Sequence, residues 1–106
     1  MLLVVEIYRE SQGFPKTETY GLISQMRRAA VSVPSNIAEG HARLSTGEFR
    51  QFLGHARGSL VELETQIVIA QSLGYLGLSR SQDLLKRTTE IGKILNGLLG
   101  SLARRK

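Results

Sequence analysis

The side chains able to do chemistry are few and poorly spaced for it. The chain has two histidines, His41 and His55, and neither follows a Glu by three residues, the Glu-x-x-His spacing that a di-iron helical bundle needs. Glu62 and Glu64 lie two apart, so on a helix they point about 200° from each other and make no acid–base pair alone. There is no cysteine, hence no thiolate nucleophile, no disulfide and no Cys-ligated zinc. HExxH, a phosphate-binding glycine loop and the GxSxG elbow are all missing from the sequence. The expectation is a protein that is not an enzyme and carries no cofactor or metal.

Arginine is the one reactive type in surplus. The chain has 14 Lys and Arg against 9 Asp and Glu, a net charge of +5, and Arg is the side chain that grips phosphate or carboxylate with two parallel hydrogen bonds. Arg43, Arg50 and Arg57 recur every seven residues, and Arg104, Arg105 and Lys106 end the chain. These six are the candidate nucleic-acid contacts. No aromatic side chain is expected to interleave with them, so binding would run through phosphates, with little base stacking.

A second group sits in "AAVSVPSNIAEGHAR", residues 29–43. Arg28, Ser32, Asn36, Glu39 and Arg43 follow steps of four, four, three and four, so they share one face if helical geometry persists. Ser and Asn are poor helix formers because they compete for backbone hydrogen bonds, so a plain solvent face would not favour them. Pro34, amid them, would remove the bond to the Ala30 carbonyl and kink the helix, or else start a short separate one at its first position.

The elements that must position these residues follow from apolar spacing. Helix one is expected near 2–12, stopping before Gly13 and Pro15. Helix two is expected near 17–40, with Ile23, Met26, Ala30, Val33 and Ile37 as its core stripe and Gly40 as its stop. Helix three, near 45–74, opens at a Ser45/Glu48 capping box and repeats Phe49, Leu53, Ala56, Leu60, Leu63, Ile67 and Ala70 in fours and threes. Helix four, near 79–104, opens at Ser79/Gln82 and repeats Leu84, Thr88, Ile91, Leu95, Leu98 and Leu102. Links this short put neighbours side by side, which predicts an all-α, antiparallel up-down-up-down four-helix bundle as one domain over 1–106.

Two features leave such a bundle incomplete. Helix one is short beside helix three, so one edge is thinly covered. Helix three also carries Gly54 and Gly58, each costing about 1 kcal/mol against alanine, which points to close approach of another backbone, from helix four or from a neighbouring subunit. The apolar runs fall far short of the roughly 20 residues of a membrane span, and "MLLVVEIYRE" lacks the basic start of a signal peptide, so a cytoplasmic location is expected.

"FPKTETYGLISQMRRAAVSVPSNIAEGHAR" followed by "EFRQFLGHARGSLVELETQIVIAQSLGY" resembles the four-helix bundle family of 23S ribosomal RNA intervening-sequence proteins, through "FP", "YGL", "Q-x-RRA", "S-x-P-x-NIAEG" and "GS-x-x-ELE" in order. The pattern falls on Phe14, Pro15, Tyr20, Gly21, Arg27, Arg28, Ser32, Pro34, Asn36, Glu39, Gly40, Gly58, Ser59, Glu62 and Glu64, among others. The family pattern places an aromatic segment ahead of "VVEIYRE", so either the start lies further upstream than Met1 or helix one is expected to be short. The resemblance implies homopentamers, no established catalysis, and kinship with the accessory protein of diversity-generating retroelements, a basic pentamer that binds reverse transcriptase and nucleic acid. On that basis Arg28, Ser32, Pro34, Asn36, Glu39, Gly54, Gly58 and Ser59 are expected at a subunit contact or polar seam. The expected function is a homopentameric scaffold or adaptor associated with RNA, DNA or an RNA-handling enzyme; the alternative is a structural assembly protein with only a protein partner.

Overall fold

The computed structural model describes residues 1–104; Arg105 and Lys106 lie outside the described residues. Four α-helices and one short 3-10 turn make up the described chain: α1 (Leu2–Ser11), the turn Lys16–Glu18, α2 (Leu22–His41), α3 (Thr46–Ser72) and α4 (Leu78–Ala103). There is no strand among the described residues.

The expected seams are the core. Met26, Ala30 and Val33 of α2, Leu53, Ala56, Leu60, Leu63, Ile67 and Ala70 of α3, and Leu84, Leu95 and Leu102 of α4 are buried, joined by Leu3 and Ile7 of α1. Ile37, Phe49 and Ile91 are half-buried against them, while Leu98 stays 38% exposed. Neighbouring helices run antiparallel, because their contacts pair in opposite order. Ser32 meets Ser59 and Gly40 meets Phe49 across α2 and α3. Thr88 meets Glu64 and Asn96 meets Arg57 across α3 and α4.

α3 is the central helix, packed on α2 and α4, whereas the α2 and α4 backbones do not approach closely; α1 lies against both of them. Its ten residues bridge only the end of the molecule that holds the N-terminal halves of α2 and α4. An ion network holds it there. Arg80 Nε donates to Glu10 Oε1 at 2.7 Å, and Arg80 also pairs with Glu6 at 3.6 Å and Asp83 at 3.3 Å. Arg87 pairs with Glu6, whose side chain is only 13% exposed. The hydrogen bond and charge of Glu10 hold the Arg80 guanidinium above its ordinary pKa, against a small opposing effect of burial.

Several boundaries and caps differ from the sequence reading. α2 begins at Leu22, not near Thr17, because residues 16–18 form the 3-10 turn and Glu18 Oε1 then accepts from the Leu22 amide at 3.3 Å. Gly40 does not stop α2 but sits inside it, buried. A Cβ there would lie 2.9 Å from Phe49 Cδ1 and 3.1 Å from Phe52 Cβ, so the missing side chain lets α2 and α3 close. α4 begins at Leu78 with Gly77 as its extended N-cap and no side-chain cap, so Ser79 and Gln82 form no capping box. By contrast Ser45 does cap α3, accepting the Glu48 amide at 3.1 Å. α3 ends at Ser72, and Gly74 (φ +79°) turns the chain out in the left-handed conformation that glycine tolerates.

Candidate nucleic-acid interface

Pro34 lies inside a continuous α2, so the alternative of a separate helix starting there does not occur. Proline has no N–H to give, and the bond to the Ala30 carbonyl is lost. On another face of the same turns a polar cluster joins α2 to α3. Ser32 Oγ and Ser59 Oγ share a hydrogen bond of 2.8 Å across α2 and α3, and Asn36 Nδ2 donates to Ser32 Oγ at 2.9 Å and to the Ser32 carbonyl at 2.8 Å. Ser32, Asn36 and Ser59 are half-buried. The unusual choice of Ser and Asn therefore has a cause within the chain: short side chains satisfy one another where two helices approach closely.

The remaining residues of that α2 face separate from this clasp. Glu39 pairs with Arg43 one turn on, just past the helix end. The Arg43 guanidinium lies 4.6 Å from the centre of the Phe52 ring, a cation–π contact that contradicts the expected lack of interleaved aromatics. Arg28 is exposed and makes no ion pair among the described residues.

Arg50 and Arg57 come together elsewhere. With Gly47, Gln51 and Gly54 of α3 and Leu99 of α4 they line a shallow cleft of about 410 Å³. Neither forms an ion pair among the described residues, because the carboxylates on their helix turn to other partners. Glu48 faces Ser45, Glu62 accepts from Gln66, and Glu64 accepts from Thr88. Arg57 Nη1 donates to Asn96 Oδ1 at 3.2 Å, which tethers it without neutralising it. Arg43, engaged with Glu39 and Phe52, is not part of this cleft. Arg104, the C-cap of α4, is exposed; Arg105 and Lys106 lie outside the described residues.

The glycines of α3 face outward. A Cβ at Gly47, Gly54 or Gly58 would meet nothing within 4 Å, so α4 is not the backbone that Gly54 and Gly58 accommodate. They leave an open strip of helix beside two unneutralised arginines.

A protein-family comparison matches residues 1–97 to the 23S rRNA-intervening sequence protein model, nearly the whole chain. The chain belongs to this family. Comparison with curated proteins returns no match. The described residues gather no set of three His, Asp or Glu side chains able to hold a metal. His41 and His55 are exposed and pack against Phe49 and Phe52, with ring centres 4.7 and 5.8 Å apart. No helix among the described residues is long and apolar enough to cross a membrane.

Three features were not anticipated from the sequence. One is the α1–α4 ion network, whose signal was available: Glu6 and Glu10 are four apart, Arg80 and Arg87 seven apart, so complementary charges align on facing helices. The second is the Arg27 anchor. Its Nε donates to the buried Ser11 Oγ at 2.9 Å, and its guanidinium lies 4.6 Å from the Tyr8 ring centre. The third is Tyr75, whose hydroxyl donates to Glu18 Oε2 at 3.0 Å. That bond, with some burial and the Glu18 charge, raises the Tyr75 pKa.

Proposed function

We propose that this chain is a non-catalytic scaffold or adaptor subunit of the cytoplasm. It acts as a homo-oligomer, a pentamer in keeping with its family resemblance, and associates with nucleic acid through phosphate contacts. The observation that carries the reading is the pair Arg50 and Arg57 in one cleft with no carboxylate neutralising either among the described residues. Each subunit also brings a net charge of +5, which repetition in an oligomer would multiply into a strong local field. The open strip at Gly54 and Gly58 supports a neighbouring chain at close range, since nothing among the described residues packs on it. A non-catalytic role fits the candidate acids and bases, Glu62, Glu64, His41 and His55, each being engaged in a separate local contact.

Fluorescence anisotropy with random RNA and DNA at rising salt tests the reading. Affinity should fall by about 0.7–0.9 log units per log unit of salt for each phosphate neutralised. Arg50→Glu/Arg57→Glu should abolish binding, and light scattering should give a mass well above the 11.7 kDa of one chain. No binding by the oligomer near ~50 mM salt would defeat this form of the reading. A protein-only partner would then be favoured, for which the exposed Val61, Val68 and Ile94 offer apolar contacts.

A further inference from the structure

Away from the α3 cleft, at the opposite end of the molecule, a second shallow cleft of about 480 Å³ lies along α1 and α2. Its lining includes Tyr8 from α1, Tyr20 just ahead of α2, and Ile23, Arg27, Arg28 and Val31 of α2; none of its lining residues is a carboxylate. Tyr20 is 96% exposed and Tyr8 40%. A tyrosine ring left almost wholly in water contributes nothing to the core, and here it stands beside two cations. Arg27 is fixed in place by Ser11 and by the Tyr8 carbonyl at 3.3 Å, which leaves its Nη1 available to an anion. Arg28 next to it makes no ion pair among the described residues.

We propose that this cleft is a base-stacking site for single-stranded nucleic acid, with Tyr20 as the stacking platform and Arg27 and Arg28 meeting the phosphates. The occupant follows from the lining. An open aromatic face, that of Tyr20, in a cleft lined by two cations and no carboxylate matches a polymer that alternates bases with phosphates. A duplex keeps its bases stacked internally and offers Tyr20 no face, so the site favours single strands. The proposal rests on the nucleic-acid reading above but uses different residues, on a different pair of helices. It adds a preference that phosphate contacts at Arg50 and Arg57 do not supply.

The test uses the intact oligomer, a labelled single strand of random sequence and its duplex, at one fixed salt concentration. Tyr20→Ala should weaken single-strand binding by about 5- to 150-fold, the range for losing one stacked base, and leave duplex binding unchanged. Tyr20→Phe should bind like the parent, because the ring is retained. The chain has three tyrosines and no tryptophan, so quenching of tyrosine emission by the single strand reports stacking directly, and Tyr20→Ala should remove most of it. Since Tyr20 is exposed, its melting temperature should match the parent's. Single-strand binding by Tyr20→Ala within twofold of the parent, while Arg50→Glu/Arg57→Glu abolishes binding, would overturn this site and leave the α3 reading standing. Unchanged binding with an altered oligomer mass would also overturn it, by assigning the cleft to a subunit contact. Loss of all binding in the parent would overturn both.

Discussion

The two ends of the molecule are built differently. At the end holding the N-terminal halves of α2 and α4, α1 adds a fourth helix, buries Leu3 and Ile7, and is locked by Glu6, Glu10, Arg80 and Arg87. Phe14 and Tyr75 pack there with ring centres 5.4 Å apart, and Tyr75 reaches Glu18. At the other end α2 and α4 flank α3 with no fourth helix between them. Leu98 stays partly exposed there, and α3 presents Gly47, Gly54, Arg50 and Arg57 to open space. One end is closed by a fourth helix and its ion pairs. The other leaves glycine and arginine surface of α3 that the described residues do not cover.

The largest effect should separate the ends directly. Ile7, fully buried under α1, should cost about 2–5 kcal/mol when truncated to Ala, whereas Leu98→Ala should cost on the order of 1 kcal/mol. Urea unfolding of dilute and concentrated protein measures both. If Leu98→Ala becomes as costly as Ile7→Ala only at high concentration, the open end is covered by a neighbouring copy. Equal costs at every concentration would break the contrast.

Two glycines sharpen it further. Gly40→Ala drives a Cβ against Phe49 and Phe52 and should destabilise by about 1–3 kcal/mol. Gly58→Ala meets nothing in its own chain and should stabilise the isolated subunit by up to about 1 kcal/mol through helix propensity. Gly58→Leu should then lower the oligomer mass in light scattering while circular dichroism keeps its helical signal. Loss of helix together with mass would show that the open strip belongs to the subunit's own fold.

The smallest effect is at the closed end and depends on pH. Because the Tyr75 pKa is raised in the folded protein, the unfolded chain releases that proton first, near pH 10. The stability contributed by its bond to Glu18 is therefore fully present below about pH 10 and is lost as pH rises through the raised folded value. The melting temperature of the parent should exceed that of Tyr75→Phe by a constant amount at neutral pH, and the gap should shrink in alkali. A gap that widened above pH ~10 would contradict the assigned cause.

Most of the helices and their buried faces are legible in the residues alone. Apolar residues repeating at three and four favour an amphipathic helix, and Leu53 through Ala70 and Leu84 through Leu95 needed no knowledge of the partner, whereas Leu98 of the same repeat stays exposed. The Ser45 cap was equally legible, because its hydrogen bond closes within three residues. Properties that depend on the distance between helices are visible only once the helices are packed. Gly40 looks like a helix stop until Phe49 is seen against it, and Gly58 looks like a packing glycine until the space around it proves open. Ser32 and Asn36 read as a subunit contact or polar seam until Ser59 arrives from α3 and closes the seam within the chain. Arg43 and Arg50 share a seven-residue rhythm, yet a helix end falls between them, so one turns to Glu39 and the other stays unpaired. Periodicity fixes which way a side chain points along its own helix, and only the packing of helices fixes what it meets there.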